Sequence, residues 1–257
     1  MTTLNMILKD RQFDGSLLAA RYAYMPNKLR YCGGDSNSEI FEYVSHQQSD
    51  PGLQAMLKEF QTMFPYLRLI AEANHIADPF NYKVVEAYWI GNELLENVSM
   101  QSFYRYLVDE QKFKKKFKPA LLEKVFGKIP VGAKPHHSFH VFNIPKRTGH
   151  YPVEHTLQTM DECRIAAAKI TNSKLQIPNS MTVEYQPLIL VGDRLELGEM
   201  AEKEVLCEVN DQAFVKEPKI GDWVSLHWSW VCDFLTESQV ANLNKWTKYN
   251  LALANLS

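Results

Sequence analysis

Up to Phe126 the apolar residues recur at three- and four-residue spacing, and the breaks between runs carry helix-start chemistry. Ser36 followed by Glu39 makes a capping-box pattern ahead of Ile40, Phe41 and Val44, an apolar stripe on one helical face. Asp50-Pro51 and Asp78-Pro79 each place a capping carboxylate before a proline, which suits the first helical position because its missing N–H would be unpaired there. The second pair predicts a helix through Val84, Val85, Tyr88 and Trp89 that stops at Gly91-Asn92. Ser99 suits the cap of a helix carrying Phe103, Tyr106 and Leu107.

Beyond Gly127 the pattern becomes proline-punctuated, β-branched and alternating. Residues 135–145 read as a strand, with a short helix after Pro135 as the alternative. Strands are predicted at Arg164 to Ile170, Met181 to Tyr185, Pro187 to Leu190, Arg194 to Leu197, Glu204 to Val209 and Trp223 to Val231. Turns at Asn172-Ser173, Pro178-Asn179, Gly192-Asp193 and Gly221-Asp222 separate them. Short strands so closely spaced suggest a small barrel, with a helix from Thr236 through Val240, Leu243 and Trp246 against it.

A length of 257 residues favours two units. The 28 basic and 30 acidic residues nearly cancel, so no global field attracts nucleic acid or an anionic membrane. The N-terminus lacks a signal-peptide run, and no stretch approaches the roughly 20 apolar residues of a membrane span. Cys32, Cys163, Cys207 and Cys232 show no CxxC spacing and read as reduced thiols of a cytoplasmic protein. No P-loop, GxGxxG or GxSxG motif occurs, so no nucleotide cofactor is indicated.

Two groups can carry chemistry. His136, His137 and His140 lie within five residues, and neutral imidazole binds Zn, Fe, Ni or Cu. In a strand His136 and His140 share a face but lie roughly 13 Å apart, too far for one ion. In a helix His137 and His140 are neighbours. Histidines hydrogen-bonded between the two halves are the structural alternative. Cys163 and His227 are the second group, carried by the first and last major strands of the proposed barrel, which meet where a barrel closes. Together they suit a soft or borderline metal, or a nucleophile and its base, whereas Cys163 alone reads as a buried structural thiol.

The segments Met160-Asp161-Glu162-Cys163-Arg164-Ile165-Ala166-Ala167-Ala168-Lys169-Ile170 and Gly221-Asp222-Trp223-Val224-Ser225-Leu226-His227-Trp228-Ser229-Trp230-Val231 resemble the HypC/HupF family of nickel–iron hydrogenase assembly chaperones. The resemblance covers roughly the last 95 residues, with only the His227 segment fairly specific. It implies an OB-like barrel that holds an iron centre between itself and a scaffold and delivers it to the hydrogenase large subunit. The family's cysteine falls on Cys163 and its strand histidine on His227. Unlike the family, Cys163 is internal, and Ala166-Ala167-Ala168 stands where the family has a proline-glycine turn. The whole chain also resembles a bacterial family with similar PHHSFHVF and GDWVSLHW segments and no assigned activity.

The expected fold is therefore α+β: an all-helical domain over 1–130, a histidine-rich connecting segment over 131–156, and a HypC-like β-barrel with a C-terminal helix over 157–257. The barrel, from about Val153, is expected to fold alone. The expected role is an accessory protein for metal-centre assembly that carries iron and docks on a protein partner, either the hydrogenase large subunit or an assembly scaffold. The alternatives are a metal-dependent enzyme using His136, His137 and His140 between the domains, with Glu86 as a further ligand or base, and a metal-free adaptor. The lysine-rich run from Lys112 to Lys118 reads as a solvated helix end, and Cys32, in a turn with Tyr31, Gly33 and Gly34, as a packing residue.

Overall fold

The computed structural model describes residues 14–144, 156–172 and 179–256. Residues 145–155 of the expected connecting segment, and the expected turn residues Ser173 and Pro178, lie outside the described residues.

The architecture is α+β: helices first, then a strand region, then a terminal helix. The helices are α1 (Gly15–Lys28), α2 (Asn37–Ser45), α3 (Pro51–Lys58), α4 (Met63–Ala73), α5 (Tyr82–Trp89), α6 (Met100–Asp109), α7 (Phe113–Lys116), α8 (Pro119–Gly127), α9 (His137–Asn143) and α10 (Leu157–Cys163). The side chains of Asp50 and Ser99 cap α3 and α6. Two starts differ from the sequence reading. Ser36 precedes α2 without a side-chain cap bond. Asp78 accepts from the Phe80 N–H in a turn, and α5 begins at Tyr82, three residues after the expected start at Pro79, capped by Asn81. The shift lets Phe80 bury its ring against Phe64, centroids 5.5 Å apart.

Residues 137–143 form helix α9, not a strand. His136 caps it through Nδ1, and every residue of the helix is buried. A short run buried all round has no periodicity by which a strand and a helix can be told apart.

The strands are β1 (Ala166–Asn172), β2 (Ser180–Tyr185), β3 (Leu188–Val191), β4 (Arg194–Leu197), β5 (Ala201–Leu206), β6 (Glu208–Val209), β7 (Gln212–Ala213), β8 (Trp223–His227) and β9 (Trp230–Phe234), followed by α11 (Glu237–Ala254). The stretch expected as one strand from Trp223 to Val231 is a hairpin, because Trp228 and Ser229 both take positive φ, +54° and +53°. Five strands pair in the closed order β1-β2-β5-β9-β8. All of these pairings are antiparallel except β5 with β9, which meet in parallel at Leu206 and Trp230. Alternate residues such as Ala166, Ala168, Ile170, Val183, Val224 and Leu226 fill its interior.

The larger core is shared between the two parts. Tyr22, Tyr24, Phe41 and Trp89 of the helices pack in one apolar cluster with Phe214, Trp230, Cys232, Leu243 and Trp246. Arg21 of α1 donates from Nη1 to the Phe214 carbonyl (2.9 Å) and to Asp233 Oδ1 of β9 (3.1 Å), a buried ion pair across the same junction. Among the described residues no helix is long and apolar enough to cross a membrane.

Candidate metal centre

The structure brings together His137, Cys163 and His227, one donor atom from each lying within 4.8 Å of the others. They reach this point from three elements: the first residue of α9, the last of α10 and the last of β8.

His227 is oriented by a defect in a helix. Pro26 sits inside α1 and has no N–H, so the Tyr22 carbonyl four residues earlier loses its intrahelical donor. His227 Nδ1 fills that place, 2.7 Å from the Tyr22 oxygen. A carbonyl can only accept, so Nδ1 carries the hydrogen and Nε2 bears the lone pair. His137 Nε2 lies 2.7 Å from the Cys163 carbonyl, which makes it the N–H, and Nδ1, which accepts from the Tyr88 hydroxyl at 3.2 Å, is the nitrogen left for a metal once that hydroxyl turns away. Each imidazole thus gives one N–H to a main-chain carbonyl, the outer support that fixes tautomer and ring plane in histidine metal ligands. Trp89 packs against both rings, at 4.6 Å from His137 and 5.5 Å from His227.

Cys163 ends a helix instead of lying in a strand, as the sequence reading had it, and its neighbours hold that helix end in place. Asp161 Oδ1 accepts from Arg164 Nε and from the Leu188 N–H, both at 2.9 Å, while Oδ2 accepts from the Tyr185 hydroxyl. Glu162 accepts from Lys203 Nζ (2.6 Å) and Ser229 Oγ (2.7 Å), and its carbonyl accepts from the Trp228 N–H at 2.7 Å. Such bonds tie the cysteine's helix to the His227 hairpin. They also hold Trp228 in a left-handed conformation that costs of order 1–3 kcal/mol for a non-glycine residue.

The other expected ligands stand apart from this set. His136 Nδ1 caps α9 and lies 2.7 Å from Ser138 Oγ, and its ring stacks on Trp246 at 5.8 Å. Burial, and then the neighbouring His137, push its pKa down to about 3, so it is neutral. His140 lines the same cavity as the cluster, with Nδ1 3.4 Å from the Tyr66 hydroxyl. Glu86 accepts from Asn92 Nδ2 and from Gln239 Nε2, both at 2.9 Å, which joins α5 to the start of α11.

The cavity offers about 60 Å³ to the centres of water-sized molecules. His137, His140, Cys32, Cys163 and His227 line it together with Tyr88, Trp89, Trp228 and Met63. The other two cysteines are buried elsewhere, and burial raises the thiol pKa of Cys207 to about 11 and that of Cys232 well above the usual range. None of the four takes part in a disulfide. The lysines of the run are exposed, while Phe113 is buried and Phe117 half-buried against it.

Fold and site together define an α+β protein with a histidine–cysteine–histidine cluster, its two histidines buried and its cysteine half-buried, where its helices meet a closed sheet. The chain belongs to the DUF6390 family, a family of unknown function whose model matches residues 11–257. No curated protein and no solved structure matches it.

Proposed function

We propose that this protein is an accessory factor for metal-centre assembly that holds a first-row transition metal, iron in nickel–iron hydrogenase maturation, at His137, Cys163 and His227. The observation that carries the reading is the meeting of Cys163 and His227, 64 positions apart in the chain, with a third donor, a nitrogen of His137. Two imidazoles and a thiolate form a donor set for borderline and soft ions, and the carbonyl behind each ring supplies the expected outer support. The order of the five strands, and a closure between β5 and β9 that rests on one residue pair, fit a partly open, OB-like barrel of the HypC/HupF kind. On this reading the helices cover the face that a free-standing chaperone offers to its scaffold, and the hydrogenase large subunit or scaffold is met in the cytoplasm.

A second reading, a metal-dependent enzyme, is favoured by the cavity beside the cluster, because three protein ligands leave a coordination position open. The test is metal content and infrared spectrum of protein purified anaerobically from iron-replete cells. Near-stoichiometric iron with bands of bound cyanide or carbonyl is expected for the carrier, and metal without those bands favours the enzyme. Cys163→Ser and His227→Gln should lose the metal while His136→Asn keeps it. Equal metal in all four proteins would refute the site.

A further inference from the structure

Cys32 lies in the loop after α1, in the wall of the same cavity but outside the three-residue cluster. Its loop is built to a fixed shape. Asn27, buried in α1, donates from Nδ2 to the carbonyls of Cys32 (2.9 Å) and Gly34 (2.6 Å). Gly33 has φ of +80°, and a Cβ there would overlap the Phe60 ring. Tyr31, before the cysteine, packs on Trp228 at 4.5 Å, which fixes the loop to the turn after His227.

Charge decides what this arrangement favours. A divalent ion bound by two neutral imidazoles and the Cys163 thiolate leaves one net positive charge in an aromatic-walled cavity. Among the described residues lining it, none is Asp or Glu. An uncompensated buried charge costs many kcal/mol, so a second anionic ligand is strongly favoured. Cys32 is the remaining thiol on the wall.

We infer that, whenever the ion carries no cyanide, carbonyl or other outside ligand, Cys32 is the fourth ligand of this centre and completes a neutral Cys2His2 set around a divalent ion of the zinc, cobalt or iron(II) type. The inference rests on the metal-binding reading above. On binding, the Cys32 thiol gives up its proton to solvent and its sulfur moves in to the ion. The chain before β1 then contributes three ligands, Cys32, His137 and Cys163, and β8 the fourth, so the junction itself becomes the metal site.

Cobalt(II) titration of the full chain tests this, because thiolate-to-cobalt charge transfer scales with the number of bound thiolates. The expected absorbance of Cys32→Ser is about half that of the wild type, with tetrahedral ligand-field bands in the wild type. Equal absorbance in the two, with loss only in Cys163→Ser, would overturn the role of Cys32 and leave the three-residue site standing. A wild-type chain that gives no cobalt spectrum would overturn both. Alkylation mapped by mass spectrometry on the wild type needs no variant: zinc should protect Cys32 and Cys163 together, and Cys32 labelled as fast with zinc as without it would refute the ligand.

Discussion

Replacing Arg21 with methionine tests whether the two halves fold as one unit. In the wild type the guanidinium bonds both the Phe214 carbonyl and Asp233, with the arginine side chain 9% exposed and the aspartate 12%. Methionine keeps most of the aliphatic bulk but leaves the carboxylate buried without its cation. Removing one member of a buried pair costs about 3–5 kcal/mol. The carbonyl that loses its donor adds about 1–3 kcal/mol, though the two effects are not additive. A loss of about 4 kcal/mol corresponds to a melting point lower by roughly 10 °C for a chain of this length. Urea denaturation, followed by tryptophan fluorescence and by circular dichroism, provides the assay. Because Trp89 and Trp230 share the core with elements of both parts, the two probes should give one midpoint. The double variant Arg21→Met with Asp233→Leu should recover at least about half of the loss, since apolar replacement of a buried pair is often neutral. A single variant that loses less than about 1 kcal/mol, or two separated transitions in the wild type, would refute the shared-core account.

Other outcomes follow from the same geometry. In chelator-treated protein the folded pKa of His136, about 3, lies below its unfolded value, so the unfolded chain binds the extra proton. Its stabilising contribution is complete above the unfolded value of roughly 6.5 and is lost as pH falls toward 3, by about 2 kcal/mol at pH 5. His136→Asn, which keeps a capping oxygen, should remove that difference in paired urea titrations, and an unchanged pH slope would count against it. Gly91→Ala should cost about 2–3 kcal/mol in the same assay, because φ is +93° and the new methyl meets the Trp246 indole; a loss under about 0.5 kcal/mol would contradict this. Contrary to the expectation from chain length alone, the fragment from Val153 to Ser257 should lack fixed tertiary structure by near-ultraviolet dichroism, because it bares Trp230, Leu243 and Trp246. A well-dispersed NMR spectrum from that fragment would show this to be wrong.

The sequence by itself determined the division into helices and then strands, since spacing and capping are local properties. Asp50, Ser99 and Thr236 mark helix starts that the structure contains. It also singled out Cys163 and His227, through a resemblance between short segments. Tertiary structure alone decided the rest of the site. Of three histidines within five residues, only His137 enters the cluster, because a fully buried helix turns His136 to Trp246 and His140 to Tyr66. The proline that frees the Tyr22 carbonyl was visible at position 26, but its acceptor could be matched with His227 only once the sheet had closed against α1. The charged residues around Cys163 likewise carried a signal, though their partners, from Tyr185 to Ser229, are distant in the chain. Local chemistry specifies where an element begins. Which side chains meet depends on long-range packing, and no spacing rule within one segment contains that.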